Sequence, residues 1–213
     1  MTTPMTASLL KSCVILTGLL TLIPAHSETT KDRDTRFAGA VMAGAYSTHV
    51  TADTDLQTSA QLTLLLNYAV MQNWGLEAGL NRLTEAETQY EADNVGGYKM
   101  SFHSNELLLG VYGTIPIDEA RFWRLHGSAG WLRYRMTIQL EETFYDYKPG
   151  GTDSTTDQGN GYYVGLGVRR TAKNNLDVQI QVMHFQRLDV LGESTRPFDL
   201  STTGASAGIT MHF

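Results

Sequence analysis

Between residues 60 and 70, Ala60, Leu62, Leu64, Leu66, Tyr68 and Val70 fall on one side of a period of two, with Gln61, Thr63 and Asn67 on the other. That period belongs to an extended strand, whose successive side chains point to opposite faces of a sheet. Farther on, Leu107, Leu109, Val111 and Ile115 oppose Glu106, Gly110, Tyr112 and Thr114 in the same way. Leu176, Val178, Ile180 and Val182 oppose Asp177, Gln179 and Gln181. The final segment, Leu200 to Phe213, puts Ile209, Met211 and Phe213 on one face and Gly208, Thr210 and His212 on the other, and it ends on the aromatic. The opening segment, FAGAVMAGAYSTHV, is too rich in small residues for its faces to be assigned.

The pattern predicts eight strands, at 37–51, 58–71, 74–91, 98–115, 121–140, 160–172, 176–188 and 200–213. Their connectors alternate in character. Ala52 to Gln57, Ala92 to Gly97, Glu141 to Gly159 and Asp189 to Asp199 are longer or more polar; Gln72-Asn73, Pro116 to Ala120 and Lys173-Asn174-Asn175 are short. Eight strands with both ends on one side need four loops on one side and three turns on the other, which suits the long extracellular loops and short periplasmic turns of outer-membrane barrels. Trp74, Trp123 and Trp131 sit on apolar faces, with Trp74 and Trp123 near the short turns, as an interfacial aromatic girdle requires. A soluble up-and-down barrel would also alternate, but its outward set would be charged. Here the set opposing the apolar face is Gly, Ser, Thr, Gln and Asn, which fits a cramped lumen. The expectation is an all-β, eight-stranded antiparallel up-and-down transmembrane β-barrel over residues 28–213.

The N-terminus reads as a secretory signal. Lys11 is the sole charge before Glu28, Val14 to Ile23 is an apolar core too short to span a bilayer as a helix, and Ala25-His26-Ser27 is a small-x-small cleavage site, with the cut after Ser27. Cys13 precedes the apolar core, which argues against a lipoprotein, and as the only cysteine it leaves the exported chain without a disulfide. Of 16 Lys and Arg, removing Lys11 leaves 15 against 22 acidic residues, a charge of −7 that is a poor footprint for nucleic acid. No apolar run downstream is long enough for a transmembrane helix.

The opening RFAGAVMAGAYS, the three tight turns and the closing GASAGITMHF together resemble the OmpA/OmpX-type outer-membrane β-barrel family, across essentially the whole exported chain. The resemblance implies a small integral barrel without cofactor, a monomer among outer-membrane lipids and lipopolysaccharide, whose C-terminal Ile209, Met211 and Phe213 serve as the signal to the barrel-assembly machinery. Because the chain ends at the eighth strand, the expectation is that it lacks the peptidoglycan-binding module that larger OmpA-like proteins append. The role stays open among structural, adhesive or surface-binding, and narrow porin-like channel members.

An eight-stranded barrel is just wide enough for its own side chains to fill, so inward charges must pair. Counted from the short turns, Glu77, Arg124, Arg169 and Asp177 lie at similar depth and suggest a lumenal network, joined by His126. A plug of salt bridges fits that narrow interior better than an ion path. His126 and Ser128 share a strand face, the beginning of a nucleophilic site. PagL-type lipid A deacylases carry His-x-Ser-Asn, however, and here Ala129 stands in place of the Asn, so no catalytic residue is expected. His103-Ser104-Asn105 lacks the spacer. No metal-ligand spacing is present. Acidic residues in the long connectors, including Asp53, Asp93, Asp146 and Glu193, read as a solvated surface. Arg133 and Arg135, with Lys99, lie toward the outer rim, where lipid phosphates would be in reach. Tyr145, Tyr147 and the Gly-rich stretch 149–161 make the third loop the candidate for an extracellular ligand.

Overall fold

The computed structural model describes residues 36–50, 54–55, 58–87, 91–92, 96–144, 150–173, 175–192 and 197–213. The signal segment with its cut after Ser27, and Cys13, lie outside them, as do Asp53, Asp93, Tyr145, Asp146, Tyr147 and Glu193. Eight long strands run in order: β1 (Phe37–Val50), β2 (Ser59–Met71), β3 (Trp74–Glu87), β4 (Gly96–Pro116), β5 (Trp123–Phe144), β6 (Gly151–Lys173), β7 (Leu176–Val190) and β8 (Phe198–His212). Each pairs antiparallel with the next, and β8 returns to β1 in continuous register from Ala38↔His212 to Val50↔Leu200. The sheet is therefore a ring. A closed ring satisfies every ladder hydrogen bond without an edge, which is what a strand crossing hydrocarbon needs.

Short connections gather at one end of the ring. The β4–β5 turn is tied by Asp118, whose carboxylate accepts from the Trp123 amide at 2.9 Å and the Phe122 amide at 3.3 Å, while Arg121 takes a positive φ of 57°. This is the ordinary use of an Asp in a turn, with a side-chain oxygen standing in for a missing backbone acceptor.

At the other end the structure corrects the expected third loop. The β5–β6 ladder continues to Glu142↔Gly151, and β4–β5 pairing reaches Gly96↔Phe144. Strands β4, β5 and β6 are 21, 22 and 23 residues long, about twice the ~9–11 a membrane strand requires. They rise as a blade above the rest of the ring. Residues 151–156 are exposed throughout, so neither face is buried and the alternation that marks a strand in sequence is absent. The ladder persists because its hydrogen bonds do not depend on which side chains they carry.

The outer face carries the expected apolar sets. Leu62, Leu64, Leu66, Leu76, Leu80, Leu107, Leu109, Val111, Val164, Leu166 and Val182 are all exposed, Leu80 to 58 %. In a soluble domain so broad an apolar surface would be an aggregation liability; it fits a hydrocarbon environment. The first strand, unreadable in sequence, turns Ala38, Ala40, Met42, Tyr46 and Thr48 inward, with Val41, Ala43, Ala45 and Ser47 outward. The lumen departs from a purely small and polar lining. Leu132, Tyr134, Met136 and Ile138 of β5 point inward and join Phe102, Met183, Phe185, Val190 and Leu200 in one buried cluster. Buried together, these side chains form a core within the lumen, and apolar groups stabilise it as they do any core.

Candidate functional site: the barrel lumen

Arg187 on β7 is the largest fully buried side chain, and it spans the lumen to Glu106 on β4. Its Nε donates to Glu106 Oε1 at 2.5 Å, its Nη2 lies 2.5 Å from the same oxygen, and its Nη1 donates to Thr202 Oγ1 at 2.7 Å. Glu106 is held from the opposite side. Ser104 Oγ donates to Oε1 at 2.9 Å and Asn81 Nδ2 to Oε2 at 2.8 Å, and Thr63 Oγ1 donates to Asn81 Oδ1 at 2.7 Å. The chain of bonds links β2, β3, β4, β7 and β8 across the interior. Both charged side chains are 0 % exposed, so each charge depends on the other and on these neutral partners.

Nearer the short turns lies a second layer. Tyr163 Oη on β6 crosses to donate to Glu77 Oε1 on β3 at 2.9 Å. The ring passes over Gly110 and Gly130, which face each other across β4 and β5. A Cβ on Gly130 would meet Tyr163 Cε1 at 2.7 Å, so the two glycines leave the space the tyrosine occupies. Arg169 donates from Nε and Nη2 to Gln179 Oε1 at 3.0 and 2.7 Å, and Gln179 Nε2 donates to Gln181 Oε1 at 2.5 Å. Asp177 Oδ2 meets His212 Nε2 at 2.7 Å at the rim. Arg124 Nη2 donates to Thr171 Oγ1 at 3.2 Å.

The structure therefore turns Glu77, Arg124, Arg169, Asp177 and His126 inward on one end of the lumen but gives them mostly neutral partners. Arg169 acts on Glu77 through space, while the hydrogen bond to Glu77 comes from Tyr163. His126 stacks on Tyr112 with centroids 6.0 Å apart, and neither ring nitrogen has a hydrogen-bond partner among the described residues. It makes no bond to Ser128, which leaves the hydroxyl without a base. Among the described residues no group of His, Cys, Asp or Glu side chains could hold a metal ion.

Sequence reasoning missed the Glu106–Arg187 bridge. Its signal was parity. Arg187 shares the inward face of β7 with Asp177, Gln179 and Gln181, and Glu106 stands on the inward face of β4. Depth counted from the turns confined attention to the layer nearest them.

Outside the lumen, the predicted interface residues lie on the outer surface. Trp74 and Trp131 are exposed, and Arg170 packs over the Trp123 ring at 5.1 Å from its centroid. Ile209 and Met211 face outward on β8, Phe213 is exposed just beyond its end, and the Phe213 amide donates to Phe37 O at 2.9 Å. Lys99 stands opposite Glu141 in the blade, well above Arg133 and Arg135, so it does not extend their group.

In structure the chain is similar to the Neisserial surface protein A, with a TM-score of 0.56, 11 % identity, and coverage of 84 % of this chain and 98 % of that one. The attachment invasion locus protein Ail of Yersinia pestis aligns at a TM-score of 0.49 and 11 % identity, covering 84 % of this chain and all of that one. No curated protein matches the chain in sequence. The model of the outer membrane protein β-barrel domain matches residues 15–213. With that match, a closed ring of eight antiparallel strands and an apolar outer belt, the chain belongs to the outer membrane protein β-barrel domain family and is a bacterial outer-membrane protein.

Proposed function

We propose that this is a non-enzymatic, monomeric barrel with a closed lumen, exported by a signal peptide cut after Ser27 and serving envelope integrity or surface contact. The observation that carries the reading is the Glu106–Arg187 bridge, which spans the interior beside a buried apolar cluster. Lumenal Glu77, Arg124, Arg169, Asp177 and His126 form the lower part of the same plug. The β4–β6 blade is the surface offered to an extracellular ligand. Lipopolysaccharide surrounds the barrel, and Ile209, Met211 and Phe213 present the C-terminal strand to the assembly machinery. The missing base at Ser128 supports the absence of hydrolysis; an unchanged lipid A mass spectrum on overexpression is the matching expectation.

A narrow channel is the competing reading, and one observation favours it. Polar atoms of Asn67, His126, Ser206 and Thr210 are buried without hydrogen-bond partners, the condition in which buried water is normally found. Planar-bilayer recording of the refolded protein decides between them. The closed reading expects a silent barrel that stays silent in Arg124→Ala. Steady conductance from the unaltered protein, changed by Arg124→Ala, would establish the channel instead.

A further inference from the structure

On the outer surface, Leu62↔Arg82, Arg82↔Asn105, Asn105↔Arg135 and Arg135↔Gln158 are successive register partners, making one row across β2 to β6. The row beside it reads Leu64↔Leu80, Leu80↔Leu107 and Leu107↔Arg133. Together these residues line an open groove of about 500 Å³. Leu64, Leu80 and Leu107 form a floor that ends on Arg133, and in the row above stand Arg82 and Arg135, with the Asn105 amide between them and Gln158 beyond Arg135. Beyond the row, the outward residues Thr84, His103, Thr137 and Gln139 are polar, so the groove straddles the upper limit of the apolar belt.

All three arginines are exposed, and among the described residues none of their side chains makes a hydrogen bond or ion pair. Three unpaired like charges held on one small area of an acidic protein repel one another unless an anion lies between them. Guanidinium forks bind phosphate oxygens in pairs, and the leucines beneath accept hydrocarbon.

We propose that this groove binds an outer-leaflet lipid carrying two phosphates and several acyl chains, with the phosphates on Arg82, Arg133 and Arg135 and an acyl chain on Leu62, Leu64, Leu80 and Leu107. The proposal rests on the outer-membrane placement and names the lipid partner. It is independent of whether the lumen conducts, because the groove lies on the opposite face of the wall.

The test is native mass spectrometry of the refolded protein in detergent, with bis-phosphorylated lipid A, monophosphoryl lipid A, phosphatidylglycerol or inorganic phosphate as probes. The unaltered protein retains bis-phosphorylated lipid A, and retention falls about tenfold or more in Arg82→Gln/Arg133→Gln/Arg135→Gln. The triple Lys variant, which keeps the charge but loses the fork, falls between the two. Heat-modifiable migration verifies that each variant is folded, and the side chains' exposure makes that the expected result. Equal retention by the triple Gln variant overturns the proposal. So does equal retention of phosphatidylglycerol, or displacement of lipid A by inorganic phosphate, which would reduce the groove to a simple anion site. Bilayer silence or conductance of the same samples reports on the lumen alone, so the two readings fail separately.

Discussion

Arg187 and Glu106 show how a single residue is constrained by closure of the barrel. A charge this deep is tolerable only beside its partner, so Arg187→Met strands a carboxylate and is expected to cost about 3–5 kcal/mol. Glu106→Leu combined with Arg187→Met removes both charges and is expected to cost less than the two single changes summed. Unfolding midpoints in urea, followed by tryptophan fluorescence in vesicles, measure both; additive losses would show that the pair is not coupled. Gly130 poses a steric constraint instead. Its Cβ would run into Tyr163 and the neighbouring strand, so Gly130→Ala is expected to destabilise by about 1–3 kcal/mol through overpacking and to loosen the Tyr163–Glu77 bond. At this scale the sequence disclosed which residues face inward. Partners were not legible, because strand stagger in a barrel sets which inward residues meet, and Glu77 finds Tyr163 eighty-six positions away.

Among the elements, β8 carries the clearest expectation. Its ladder to β1 seals the ring, and Phe213 finishes it with a backbone bond to Phe37 and a ring lying against Gly39. Phe213→Ser removes an outward aromatic that is 64 % exposed, with no buried contact to lose, so its effect should fall on assembly more than on intrinsic stability. The expected result is a lower folded fraction in isolated outer membranes, read by heat-modifiable gel migration, while refolding in detergent stays close to normal. An unchanged membrane fraction would remove the assembly role. The blade is the element that sequence under-read. Its β6 segment Gly151–Asn160 pairs with β5 while the ladder to β7 begins only at Gly161. Asp153 and Asp157 on that one-sided stretch are the kind of charge that discourages edge-to-edge pairing. Asp157 also accepts from the Leu191 amide at 2.7 Å, tying the blade's base to the end of β7.

For the molecule as a whole, the inside and outside of one wall do different work. The outer face is matched to hydrocarbon and ends in a group of three arginines; the inner face is a packed interior with a salt bridge across it. On the closed-lumen reading proposed above, silence in a bilayer is a property of the assembled ring, and no single strand carries it. Weakening the bridge by Glu106→Gln is expected to introduce brief conducting events in planar bilayers, since Arg187 loses its charged anchor while the apolar side chains around it stay in place. A variant as silent as its parent would assign closure to the apolar packing instead of the bridge.

The sequence by itself determined the class of fold, the approximate positions of eight strands, the two faces of most of them and the alternation of short and long connections. These follow from local chemistry: a wall one strand thick, with lipid on one side and a lumen on the other, writes a period of two directly into the chain. Tertiary structure decided what that period cannot encode. It supplied the register that brings Arg187 to Glu106 and the stagger that gathers Arg82, Arg133 and Arg135 into one groove. It extended the ladder beyond the membrane, where water on both faces leaves no alternation to read. It also brought apolar side chains of β5, β7 and β8 together beside the polar ones inside the ring, because the register across the lumen, which no single strand encodes, sets which inward residues pack.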